Sequence, residues 1–142
     1  MKTQNYHNHT KIDPIFHGVI GGLALVTLGF SIGFAVNNLE DSVVLSVFVL
    51  VVTITLILTG LNVRRYALML QDRIIRQEES FRYFRLTGKE LNKAVTLKQI
   101  IALRFASDEE LPTLVDRAVN ENVSADEIKK SIRNWRADHH RV

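Results

Sequence analysis

The chain of 142 residues contains no cysteine. That excludes disulfides, thiolate metal sites and cysteine nucleophiles. Proline is scarce too: Pro14 and Pro112 are the only two, and Gly60 is the only glycine between Val43 and Thr87. Charge of either sign is missing from two long stretches, IFHGVIGGLALVTLGFSIGFAV at 15–36 and VVLSVFVLVVTITLILTGLNV at 43–63. Crossing ~30 Å of hydrocarbon takes about 20 apolar residues, and each stretch has that length. The segment between them, NNLEDS at 37–42, has no lysine or arginine and carries Glu40 and Asp41. Also missing are a glycine-rich phosphate loop, a GxSxG elbow and an HExxH helix. These absences leave no motif-borne enzyme class in view, and the acids that remain fall in first turns of helices, where capping explains them.

What is present points to the membrane. Of the 18 lysines and arginines, 16 follow residue 63. By the positive-inside rule this places both termini in the cytoplasm of a multi-pass inner-membrane protein, with the acidic loop outside. Arg64 and Arg65 fall where lipid headgroups end the second span. A cleaved signal peptide is the rival reading, with Gly33-Phe34-Ala35 as its cleavage-like site. The first apolar run exceeds the ~7–15 residues of a signal core, and Asp13 and histidines sit at its start, which favours a retained span.

The first span holds Gly18, Gly22, Gly29 and Gly33 on one face. The second holds Ser46, Thr53 and Gly60 at seven-residue spacing. Small faces let helices approach closely in lipid. The two stripes therefore predict packing within an antiparallel hairpin or against another subunit. The absence of breakers predicts that the second span continues as a helix past the membrane to Gly88, a C-cap residue. Along it Val63, Ala67, Leu70, Ile74, Gln77, Phe81 and Phe84 form a heptad seam, flanked by Arg73, Arg76, Arg82 and Arg85. The seam is expected to bury against the protein's own tail or a second copy.

Three short helical segments follow. Thr96 caps TLKQIIALRFA at 96–106, and Ser107 with Glu110 forms a capping box for 107–122. Ser124 with Glu127 caps a helix predicted to reach His139, with Ala125, Ile128, Ile132 and Trp135 as its apolar stripe. The predicted architecture is an all-α membrane protein: an N-terminal arm (1–14), a transmembrane helical hairpin (15–63), a juxtamembrane helix (64–88) and a small cytoplasmic three-helix module (89–142). So small a module is short of core and leans on the juxtamembrane helix or a partner.

The five histidines raise the question of metal. His9 and His17 lie near one end, His139 and His140 at the other. Adjacent histidines point about 100° apart on a helix, so a site needs both termini to converge. The simpler reading gives no metal and no cofactor. Trp135 and His139 then pin the tail against the juxtamembrane helix or the arm, and His140 lies nearer the basic stripe. Lys129, Arg133 and Arg136 form that stripe, but Asp126 and Glu127 begin the same helix, which argues against nucleic acid.

The tail segments TLKQIIALRFASDEELP and RAVNENVSADEIKKSIRNWRADHHRV resemble those of a family of small uncharacterised bacterial membrane proteins, classed as a domain of unknown function. The opening QNYHNHTKIDPIFH is similar as well, with Asn8, His9, Pro14 and His17 in that family's pattern. The resemblance implies two spans and a cytoplasmic helical tail. It implies no activity and no catalytic residues. Together the readings lead to a non-enzymatic inner-membrane protein whose tail serves as adaptor, scaffold or accessory subunit. The expected partners are the lipid bilayer and a protein partner or a second copy; no small-molecule substrate is identifiable. The alternative is a self-assembling homo-oligomer, channel-like or sensing.

Overall fold

The computed structural model describes residues 4–10, 12–38 and 40–138. The regular elements of the described residues are all helices. A π-helical turn, Ile15–Ile20, leads into α1 (Gly21–Asn38), followed by α2 (Val43–Thr87), α3 (Leu97–Leu103), α4 (Leu111–Asn120) and α5 (Ala125–Ser131). The one isolated β pairing among these residues is an antiparallel bridge between Ala106 and Trp135. Two compact units divide the chain, one formed by residues 12–67 and the other by residues 1–11 and 68–142.

In the unit of residues 12–67, two helices are long and apolar enough to cross a membrane: Ile15–Asn38 and the apolar part of Val43–Thr87. Most of their large side chains are uncovered, among them Leu25, Phe30, Val44 and Phe48. Asp13 starts the first helix. Its carboxylate accepts from the backbone N–H of Ile15 at 3.0 Å and of Phe16 at 3.2 Å, filling the role of an N-cap. Where the two helices meet, the contact is polar. The hydroxyls of Ser31 and Thr53 lie 2.7 Å apart and both residues are buried, with Ala35 and Ser46 buried as well.

The glycine stripe is not part of this contact, which corrects one of the two packing expectations. A Cβ built on Gly18, Gly22, Gly29, Gly33 or Gly60 meets nothing within 4 Å. Gly29 and Gly33 instead line an open groove with Val26, Phe30, Phe34 and Asn37. The physical reason is that a hydrogen-bonded hydroxyl pair already sets the approach of the helices, so the glycine face is left turned away. Next to Thr53 the helices flank a partly open pocket of about 280 Å³, with Phe16, Ile20, Leu56 and Gly60 among its lining.

The other unit packs the C-terminal part of α2 with α3, α4 and α5. α2 ends at Gly88, which adopts φ +68° and donates its N–H to the carbonyl of Phe84 at 2.7 Å. This is the left-handed cap expected from the sequence. α3 begins with a full capping box: the Thr96 side chain accepts from the N–H of Gln99, and the Gln99 side chain returns a bond to the N–H of Thr96. Gln99 also donates to the carbonyl of Val123 at 2.9 Å, tying α3 to the α4–α5 turn. Asn122 makes that turn with φ 48°. Ser124 and Glu127 form the second capping box. The core under these helices contains Ile75, Ile100, Leu103, Phe105, Leu111, Val115, Ile128 and Ile132.

Three helix boundaries differ from the sequence expectation by three residues or more. α3 stops at Leu103 rather than Ala106, because residues 104 and 105 turn and Ala106 enters its bridge with Trp135. α4 starts at Leu111 rather than just after Ser107. The Ser107 hydroxyl accepts the Glu110 N–H at 3.4 Å, one half of the expected box. Residues 108–110 form a turn, however, and the Glu110 carboxylate accepts from Arg133 and Asn134 instead of returning to Ser107. α5 stops at Ser131. Ile132 is extended (ψ 123°), and Trp135 then pairs with Ala106, so a backbone bridge replaces the last two predicted helical turns.

The hydroxyl contact gives the first test. Ser31→Ala or Thr53→Val should destabilise the paired helices by about 0.6 kcal/mol, at most ~1.7 kcal/mol, as found for polar contacts in lipid. The double variant should cost little more than either single change, in a thermal-unfolding cycle in detergent. Gly29→Ala should leave the midpoint unchanged or raise it, since the glycine touches nothing.

Candidate functional site

The chemistry-bearing side chains gather in the unit built from residues 1–11 and 68–142. At its centre is Arg82, whose side chain is 5% exposed. Its Nη1 donates to Glu79 Oε2 at 3.0 Å, its Nη2 to the Ala106 carbonyl at 2.8 Å and its Nε to Asp108 Oδ1 at 2.7 Å. Arg136 approaches the other oxygen of Glu79, at 3.8 Å. Glu79 is itself buried, so the cluster is a paired buried charge rather than a surface bridge. The hydrogen bond from Arg82 and its positive charge hold the Asp108 carboxyl below the ordinary carboxylate range.

This arrangement corrects the expected docking face. Leu70, Ile74, Phe81 and Phe84 are all exposed, Phe81 to 68%, whereas Ile75, Glu79, Arg82 and Tyr83 are buried. The tail thus meets α2 on the face nearly opposite the apolar seam, about 165° around the helix at ~100° per residue. Arg82, expected as a flanking surface charge, is the anchor. The reason is the geometry of the guanidinium, which satisfies acceptors on α2 and on the α3–α4 turn together; a stripe of apolar side chains offers no such directional link.

A second group joins the N-terminal arm to the C-terminal segment. The Gln4 side chain accepts from the Asp138 N–H at 2.8 Å and donates to the Asp138 carbonyl at 3.1 Å. The Tyr6 hydroxyl donates to Asp126 Oδ1 at 2.7 Å. His9 donates from Nδ1 to the Tyr6 carbonyl, and its ring sits 5.7 Å from both Phe105 and Trp135. Phe105 and Trp135 stack at 5.1 Å, with the Arg104 guanidinium over the outer side of Phe105 at 4.6 Å. Arg104 also pairs with Asp138 at 3.2 Å. Glu110 completes the clasp: its two oxygens accept the N–H groups of Arg133 and Asn134, both at 3.2 Å. The hydrogen bonds from Lys130 and from Tyr6 keep Asp126 below the ordinary range, while the bond to Asp126 raises Tyr6.

Trp135 therefore does face the arm, through His9. His139 and His140, the other halves of the cap and metal readings, lie outside the described residues. Among the described residues no group of three or more histidine, aspartate or glutamate side chains is placed to hold a metal ion. His17 donates from Nδ1 to the Asp13 carbonyl at 3.0 Å. Arg64, expected at the headgroups, stacks over Phe16 at 4.5 Å and pairs with Asp13 at 3.6 Å; Arg65 is exposed.

A family model described as "Family of unknown function (DUF6526)" matches residues 1–142. The chain belongs to that family. Its match spans both the apolar helices and the clasped module, in line with the resemblance carried by the opening and the tail. No curated protein and no solved structure matches this family member.

Two tests follow from the cluster. Arg82→Leu strands the buried Glu79 and should cost about 3–5 kcal/mol, read as protease sensitivity of the tail and a lower denaturation midpoint. Arg82→Lys should rescue little, because one ammonium cannot serve the same three acceptors. The pH dependence has a fixed sign. Asp108 has its folded pKa depressed below the ordinary value of 3.8. Its contribution is present above that value and is lost as pH falls through the lowered one. Acid titration of hydrogen exchange at the α3–α4 turn should show loosening only below pH ~4, and Asp108→Asn should remove that step.

Proposed function

We propose that this chain is a non-enzymatic protein of the bacterial inner membrane, with both termini cytoplasmic, whose helical tail acts as an adaptor, scaffold or accessory subunit. The observation that carries the reading is a division of labour on the module's surface. Arg82, Glu79, Asp108, Arg104, Glu110 and Glu127 are engaged in internal pairs and caps, while a line of large apolar side chains on α2 is left uncovered. Uncovered apolar lines of this kind mark contact surfaces. The carboxylates support the same reading: Asp13 and Glu127 cap helices, Glu79 and Asp108 hold Arg82, and Glu110 holds the tail backbone. No two of them face one another across a cleft as an acid and base would.

Membrane insertion is supported by the uncovered apolar surface of both long helices, and the orientation by the basic residues that begin at Arg64. The channel-like reading has less support. Thr55 and Thr59 bond to carbonyls of their own helix, and Ser31 is spent on Thr53, so few polar groups remain to line a conduit. Self-assembly without conduction keeps the support of the exposed seam.

Pull-down of the full chain in mild detergent, followed by mass spectrometry, tests the adaptor role. A stoichiometric foreign subunit is the expected result. Recovery of this chain alone would replace the adaptor by the self-assembling form. For orientation, Glu40→Cys should react with an impermeant maleimide on intact cells, and Lys93→Cys only after permeabilisation. Labelling of Lys93→Cys from outside would invert the topology.

A further inference from the structure

The apolar seam of α2 has a definite register relative to the docked tail. Number it as heptads with Ile74 and Phe81 at a and Leu70, Gln77 and Phe84 at d. All five are exposed. The residues buried under the tail are then Ile75 and Arg82 at b, Tyr83 at c and Glu79 at f. Those are the positions that a two-stranded coiled coil leaves on its outside. The tail module therefore occupies the outer face of α2 and keeps the a/d line clear.

The flanks carry charge of matching sign. Arg73 falls at g and Glu78 at the next e, and both are exposed. In a parallel pair of identical helices, g of one chain faces the following e of the other. Arg73 then meets Glu78 of the second chain, twice by symmetry. No like-charged g–e pair arises in this window, since Gln71 and Ser80 are neutral. One a position is isoleucine and one d position leucine, the pairing that suits two strands; Phe81, Gln77 and Phe84 fill the rest.

We infer that residues 70–84 of α2 form a parallel, two-stranded contact with the same segment of a second copy of this chain, register set by the reciprocal Arg73–Glu78 pairs. The parallel sense rests on the membrane reading above, because two copies inserted in one orientation leave the bilayer side by side in the same direction. Two heptads are short for a free coiled coil. Confinement in one membrane supplies the effective concentration that the short seam lacks.

The chain has no cysteine, which permits a direct test in membranes with the full-length protein. Single variants Ile74→Cys and Phe81→Cys should each give disulfide-linked dimers under mild oxidation. Arg76→Cys, exposed but at c, should give at least about fivefold less. On the Ile74→Cys background, Arg73→Glu should lower the yield about fivefold, as two repelling pairs of ~0.5 kcal/mol each imply, and adding Glu78→Arg should restore it. Equal yield at all three sites, or none at Ile74 and Phe81, overturns the contact. Efficient cross-linking of Ile74→Cys to Phe81→Cys in co-expressed chains, with neither linking to itself, overturns the parallel register. Carbonate extraction of the same fractions separates the premises. Soluble chains that still cross-link at Ile74 and Phe81 refute membrane insertion while keeping the contact; membrane-bound chains without the pattern refute the contact alone.

Discussion

Much of the second unit hangs on one guanidinium. The Arg82 guanidinium offers donors and no acceptor, so once buried it must be surrounded by acceptors. It finds them on Glu79 of its own helix, on the Ala106 carbonyl and on Asp108. The Ala106 carbonyl is therefore held from the α2 side, while the same residue pairs with Trp135 from the other. Trp135 in turn stacks with Phe105 and receives His9 of the arm. The order of dependence runs from α2 to the α3–α4 turn, to the C-terminal segment, and to the arm. A lysine could neutralise Glu79, but it lacks the planar fork that links two helical elements and a carbonyl at once.

Residues 12–67 meet the same demand for partners in a different way. On the membrane reading, nothing apolar is gained by bringing two apolar helices together in lipid, so the contact is drawn to the groups that lipid cannot satisfy. Ser31 and Thr53 supply them, bonded at 2.7 Å. Water would compete for such a pair and leave it worth little. In the module the balance is reversed: burial of Phe105, Ile100, Leu103 and Leu111 drives association, and polar groups serve to position it.

The sequence was legible wherever a signal was local. Both long apolar helices, the unbroken run of α2, Gly88 as its cap and the boxes at Thr96 and Ser124 all follow from composition or from spacings of three residues. Contacts distant in sequence were not legible. Nothing near Gln4 or Tyr6 announces Asp138 or Asp126, more than a hundred residues away. The error at the seam is more instructive. Of the two expectations for the apolar stripe, docking of the protein's own tail went instead to a face carrying Glu79 and Arg82, and a second copy remains as its cover. Those two residues stand at i and i+3, a spacing that does signal a pair. What it does not signal is burial, because that depends on a third partner, Asp108, 26 residues on. The early end of α5 has a similar cause: local propensity continues the helix, while Glu110 captures the N–H groups of Arg133 and Asn134 in a non-helical path.

α2 as a whole carries a single seven-residue series: Ser46, Thr53, Gly60, Ala67, Ile74 and Phe81. Its first members are small or hydroxylated, and Ser46 and Thr53 are buried. Its last are large and apolar, and Ile74 and Phe81 are exposed. On the membrane reading the change falls where lipid gives way to water, and that is where the physics of helix association changes. Close approach and hydroxyl bonds hold helices together in hydrocarbon; apolar bulk holds them together in water. On a straight helix such a series drifts ~20° per heptad, so it turns by about 100° between Ser46 and Phe81 while its side-chain type changes at Ala67. At Ile74 and Phe81 the charged face that receives the tail lies on the far side of the helix from the series. One helix can therefore hold α1 in its first half and its own tail in its second, and still present Ile74 and Phe81 to another chain.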